Sequence, residues 1–213
     1  MQPNPDYRIL WLDFETTGLS LETDRVLEIG AVLTDEEGRL AEAFSAVLLC
    51  ARPNGAEAFA KNGITPQEIA SGMPRSEAWE ALDTLCRSAQ RPDGTFVLGG
   101  HNVSAFDYPM WIREDPRFFH AATGRLTPPP RPRGIVDTCT IAYGARVAAN
   151  DPTRSVSLDA LCDAGLIDQP HGHTALADAW RAARVFFRGI GQDTHPDDND
   201  RIARLSRRVG GSW

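Results

Sequence analysis

The chain of 213 residues has almost no lysine: Lys61 stands alone among 22 basic residues. An arginine bias of this kind reads as the codon usage of a GC-rich genome rather than as a demand for guanidinium groups. Positive charge is also in deficit overall. A net charge of −7 excludes a protein that coats nucleic acid by bulk electrostatics, though not one that holds it through cations in an acidic pocket. No apolar run approaches the ~20 residues that a membrane span needs, so no membrane partner is expected. The opening residues, Met1 to Asp6, have neither the basic nor the apolar region of a secretion signal. Cysteine is sparse and unpaired in sequence: Cys50, Cys86, Cys139 and Cys162 include no C-x-x-C spacing. Thiolate metal sites and disulfides are therefore not expected, and reduced thiols in the cytoplasm are the simplest reading. No internal repeat is present. At this length one core is expected, as a domain over residues 1–190 with a polar and basic tail over 191–213.

What the chain does have begins at Arg8. Ile9-Leu10-Trp11-Leu12 is a short apolar run, followed by Asp13-Phe14-Glu15-Thr16-Thr17 and a turn at Gly18. The run predicts a buried strand. Side chains alternate across a strand, so Asp13 and Glu15 share one face while Phe14 takes the other. Two carboxylates held together repel unless a cation sits between them. An exposed acidic strand end and a cation site are both open at this point.

Arg25–Thr34 predicts a second strand and Leu40–Leu49 a third, joined by a turn at Asp35-Glu36-Glu37-Gly38 to close a meander. A short helix is expected over Ala56–Asn62. Thr65-Pro66-Gln67-Glu68 carries a capping hydroxyl, Pro at the first helical position and Glu three residues after the cap, which starts another. Ser76–Gln90 has apolar residues at helical spacing, Thr95–Gly100 reads as a strand, and Ser104–Glu114 as a helix. Four prolines make Thr127–Arg133 an irregular surface loop, with a small strand at Ile135-Val136. Helices follow at Thr138–Ala149, Ser157–Ala164 and Thr174–Arg188, the last with Leu176, Trp180, Ala183 and Phe187 as its core stripe. In the tail, Arg201–Arg208 is basic and amphipathic, and a solvated terminus is expected there. Strands first, then strands alternating with helices, make a mixed α/β sheet flanked by helices.

Three later positions bear on the acids of the first strand. Asp107, in His101-Asn102-Val103-Ser104-Ala105-Phe106-Asp107, follows a strand end, where α/β sheets collect ligands. Asp178 lies in the first turns of the last long helix, and His173 lies five residues before it at the loop–helix junction. Singly, each has an ordinary structural role as a helix-dipole acid, a solvated acid or a cap.

In this order and spacing they resemble the DEDDh (DnaQ-like) 3′→5′ exonucleases. Asp13-Phe14-Glu15-Thr16-Thr17-Gly18-Leu19 resembles the first motif of that family, His101-Asn102 through Phe106-Asp107 the second, and Ser157 to Cys162 with His173 and Asp178 the third. Glu28-Ile29-Gly30-Ala31-Val32 and Gly63-Ile64-Thr65 are similar to further family segments. The resemblance covers roughly Arg8 to Arg188. It is mixed: Leu12 to Glu15, Thr23 to Ile29 and the five-residue step from Asn102 to Asp107 resemble oligoribonuclease. Thr16-Thr17-Gly18, Gly63-Ile64-Thr65 and Ser157–Cys162 resemble the proofreading subunit of bacterial DNA polymerase III.

The resemblance implies a ribonuclease H-like fold, an antiparallel three-strand meander extended by parallel strands. It implies two divalent cations, Mg²⁺ or Mn²⁺, which activate water and stabilise the leaving 3′-oxygen. Asp13 is expected to bridge them, Glu15 and Asp178 to complete the water-activating site, Asp107 to support the other, and His173 to act as general base. Phe14, Thr16, Leu19, His101, Asn102 and Phe106 are expected to meet the 3′ nucleotide of single-stranded DNA or RNA. The alternatives are an enzyme restricted to very short RNA and a catalytically silent binding subunit. The tail is a candidate site for a protein partner.

Overall fold

The structure, a computed structural model, describes residues 8–50, 62–118, 131–164, 173–192 and 196–206. The apolar run of the first strand continues through the acids as β1, Ile9–Thr16. β2 (Val26–Thr34) and β3 (Leu40–Val47) complete the meander. α1 (Pro66–Ala70) starts with the expected capping box at Thr65 and Glu68, and α2 covers Arg75–Ala89. Then come β4 (Phe96–Gly100), α3 (Asp107–Glu114), a 3₁₀ turn at Pro116–Phe118, β5 (Pro132–Asp137), α4 (Thr138–Ala148) and α5 (Leu158–Asp163). α6 (Ala175–Gly189) and α7 (Pro196–Leu205) close the described chain. The helix expected over Ala56–Asn62 lies, but for Asn62, outside the described residues.

The sheet has the order β3-β2-β1-β4-β5. β1 pairs antiparallel with β2 and parallel with β4, so the strand with the acids sits at its centre. Alternation along β1 divides the core. Leu10, Leu12 and Phe14 join Trp79, Leu82, Met110 and Trp111 of α2 and α3 on one side. Ile9 and Trp11 join Leu176, Trp180, Ala183 and Phe187 of α6 on the other. Asp13 and Glu15 continue the odd-numbered series and therefore face α6.

α6 approaches unusually close. A Cβ at Gly30, which pairs with Asp13 across β1 and β2, would overlap the backbone of Ala175 and Leu176. The buried helix residues Ala175, Ala179, Ala182 and Ala183 are all small. The first turn of α6 thus lies directly on the acidic end of β1.

Three expectations change. The proline loop was expected to run through Arg133, but β5 begins at Pro132. A proline is tolerated there because it is the first residue of an edge strand, where a missing donor breaks no inner ladder. Residues 119–130 lie outside the described residues. The helix expected from Ser104 starts at Asp107, because the preceding turn spends its donors elsewhere: Asn102 takes a left-handed φ of 61°, and the amides of Asn102 and Ser104 bond to Asp137. Finally, Pro196–Leu205 is not a solvated terminus. Ile202 is buried in the α6 core cluster, and Asp198 accepts from the Leu40 amide at 3.0 Å. Asn199 accepts from Trp180 Nε1 at 2.9 Å and from Arg184 at 3.1 Å. Among the described residues, no helix is long and apolar enough to cross a membrane.

Gly30→Ala is expected to lower the unfolding free energy by about 3 kcal/mol, because helix backbone rather than a movable side chain occupies the space. Gly134→Ala, which meets open space, should stay within about 0.5 kcal/mol. Urea unfolding of both variants checks the contrast.

Candidate active site

The close approach of α6 brings carboxylate oxygens of Asp13, Glu15 and Asp178 to within 4.8 Å of one another. Two features set the position of Asp178. Thr174 caps α6, its hydroxyl accepting from the Ala177 amide at 3.2 Å, and the buried Glu28 accepts from the Ala175 amide at 3.3 Å. Both satisfy donors that a helix N-terminus leaves unpaired. His173 is the residue before the cap and is exposed at the lip.

Asp107 sits behind this trio and outside it. It is buried, 3% exposed, and its Oδ1 accepts from the Phe14 amide at 2.9 Å. It thereby ties the start of α3 to the residue between the two β1 acids. The Phe14 ring packs edge-on against Trp79 in the core. The amide of Phe14 is thus engaged by Asp107.

The electrostatics record the crowding. Burial, reinforced by the charges of Asp107, Asp178, Glu15 and Glu28, pushes Asp13 well above the ordinary carboxylate range. Burial raises Asp107 to about 7, against the opposing pull of its hydrogen bond from Phe14. Asp178 is raised by burial and partly drawn back by Arg181 and His173. A site of raised acids made only of oxygen donors fits a hard divalent cation, which would stabilise the charged forms.

Asp13, Glu15 and Asp178 line a cleft of about 520 Å³ with Phe14, Thr16, Thr17, Gly18, Leu19, Asn62, His101, Phe106, Ser157, Leu158, Asp159, His173 and Arg181. Of the residues expected to meet substrate, Phe14, Thr16, Leu19, His101 and Phe106 are therefore in the cleft. Asn102 stands outside its lining, with its amide turned to Asp137. Leu19 is 84% exposed on a loop that Asp24 holds: Asp24 accepts from the Thr17 hydroxyl and the Ser20 amide, both at 2.8 Å. His101 Nδ1 lies 2.9 Å from the Thr138 hydroxyl. Burial lowers its pKa, opposed by the charge of Asp137 and a bond to the Val156 backbone.

Arg181 and Asp137 escape a reading by motif, and Asp24 and Glu28 stand in the resembling segments without a role assigned to them. Arg181 bonds to Asp178 Oδ1 at 2.8 Å, and its spacing of three from Asp178 on one helix is the signal that could have found it. Asp137 gathers the amides of Asn102, Ser104, Cys139 and Thr140. Burial works to raise Asp137, but bonds from Ser104, Asn102 and Thr140 outweigh it and hold the carboxyl below its usual range.

The mixed sheet with helices on both faces, and an acidic cluster at the end of its central strand, make a ribonuclease H-like fold. The chain belongs to the RNase_T exonuclease family, whose match runs over residues 10–186. It is 28% identical to an oligoribonuclease of Xanthomonas oryzae pv. oryzae over 201 residues, 89% of this chain and 94% of that one. It is 28% identical to the PolC-type DNA polymerase III of Thermotoga petrophila over 180 residues, 84% of this chain and 12% of that one. The fold superposes on E. coli exonuclease I in complex with a dA16 oligonucleotide with a TM-score of 0.66 at 19% identity, covering 92% of this chain and 42% of that one. The chain spans about half the length of the first curated relatives it matches.

The raised acids give a sign to pH dependence. Without divalent cations, Asp107 binds its proton more tightly folded than unfolded, so its contribution to stability is full below the unfolded value near 3.8 and is lost as pH rises through about 7. In EDTA, the urea unfolding free energy is expected to fall between pH 4 and 7, by up to roughly 4 kcal/mol from this group. Asp107→Asn, which can still accept from Phe14, should flatten that decline.

Proposed function

We propose that the protein is a divalent-cation-dependent 3′→5′ exonuclease that removes 5′-mononucleotides from the 3′ end of single-stranded nucleic acid. The observation that carries this reading is the oxygen cluster of Asp13, Glu15 and Asp178 in an open cleft, with His173 at its lip. Membership of an exonuclease family supports it. Asp13, Glu15 and Asp178 would hold the cations, and Mg²⁺ or Mn²⁺ suits an all-oxygen donor set. Bound there, such ions lower the pKa of water and neutralise charge on the leaving oxygen.

The chain's own groups do the rest. His173 takes the proton from the attacking water as general base. Asp107 fixes the backbone between Asp13 and Glu15 and would help to hold a second cation. Thr16, His101 and Phe106 line the path of the strand, and Leu19 presents an apolar surface to the terminal base. The four free cysteines fit a reducing compartment such as the cytoplasm. A protein partner at the tail would meet the outward face of α7, where Arg201, Arg204 and Leu205 are exposed.

Similarity over 94% of an oligoribonuclease favours very short RNA as the alternative substrate. A series of labelled RNA and DNA oligomers from two nucleotides upward separates the readings. Activity confined to short RNA selects the alternative, and comparable turnover of long strands selects the main one. His173→Ala should lose about 10²–10⁴-fold in kcat. Asp13→Ala and Asp178→Ala should lose more, and chelation should abolish turnover. Full activity of Asp13→Ala with Mn²⁺ would overturn the assignment.

A further inference from the structure

Arg181 is a buried cation within the acid cluster. Its side chain is 3% exposed, so its charge must be answered by protein groups rather than water. One arm of the guanidinium donates to Asp178 Oδ1 at 2.8 Å. Another reaches Asp159 Oδ1 at 3.3 Å, on the first turn of α5 at the rim of the cleft. An oxygen of the same Asp178 carboxylate lies within 4.8 Å of oxygens of Asp13 and Glu15. Asp178 is thus shared between the guanidinium and the acid cluster, and Arg181 joins α5 to α6 at that point.

We propose that Arg181 is a positioning residue for the cation site. It holds the Asp178 carboxylate in the orientation that completes the Asp13–Glu15 set, and Asp159 holds the guanidinium in turn. The planar fork of arginine suits this task, because two donors in fixed relation address two carboxylates at once. The proposal rests on the cation-dependent reading above and adds to it a residue outside the ligand set.

Mn²⁺ titrated into the purified full chain and followed by electron paramagnetic resonance gives the test. Groups that orient ligands typically contribute 10–100-fold to metal affinity, so Arg181→Ala should weaken Mn²⁺ binding by about that factor. Arg181→Lys, which keeps charge but not the fork, should fall between. In an Asp178→Asn background, Arg181→Ala should weaken binding no further, since the two act as a unit. A lowered urea midpoint with unchanged Mn²⁺ affinity would make Arg181 a plain helix–helix ion pair and overturn the proposal. Tighter Mn²⁺ binding would make it a competitor of the cation and overturn it too. Should the alanine variant fail to fold, the lysine variant decides, and parental affinity there would overturn the proposal. A parent that binds no Mn²⁺ would instead overturn the cation-dependent reading on which this rests.

Discussion

Alternation along β1 is the constraint on which the rest of this structure depends. Because strand side chains change face at every residue, the odd series Ile9, Trp11, Asp13, Glu15 can face only one layer of helices. That layer is α6, so apolar packing and the acid cluster are two segments of one stripe. Ile9 and Trp11 glue the strand to Leu176, Trp180 and Phe187, and the next two odd residues are carried to Asp178 by the same contact. The even series places Phe14 against Trp79. Phe14 is thereby a core anchor whose burial fixes the acids on either side of it. A shift of one residue in the register of β1 would move the whole acid set to the wrong face.

That packing brings together groups that repel. The fold resolves the tension partly by itself. Asp107 takes the amide of Phe14, Asp178 takes Arg181, and Glu28 takes the first amide of α6. Asp13 is raised well above the ordinary carboxylate range by burial and by four neighbouring acids. Folding alone thus favours the protonated acid at the position where a cation would favour the charged one. This is a local conflict of the kind expected at functional sites rather than in a core optimised for stability alone.

Local chemistry made much of this legible in the sequence. The strand bearing Asp13 and Glu15, the capping box of Thr65 and Glu68, and the Leu176–Phe187 stripe each follow from patterns a few residues long. What was not legible depended on distant partners. Nothing around Gly30 announces that the backbone of Ala175 will occupy the place of a side chain. Nothing around Asn102 announces that its backbone amide will bond to Asp137, 35 residues on. Pro132 reads as a loop residue because sequence does not reveal that β5 will lie at a sheet edge. Arg181 was hidden by its company, one of three arginines on α6 with Arg184 and Arg188, and its bond to Asp178 sets it apart.

The tail helix follows the same logic. Read alone, Arg201–Arg208 is a basic amphipathic segment with no stated use for its apolar side. In the structure Ile202 covers the α6 cluster, while Asn199 bonds to Trp180 and Arg184 and Asp198 bonds to the first residue of β3. Trp180 lies two residues after Asp178 and Arg184 three residues after Arg181, so α7 braces the helix that carries both. The outermost described helix thereby belongs to the same mechanical unit as the acid cluster: it presses α6 onto the sheet, and the sheet holds Asp13 and Glu15 beneath Asp178.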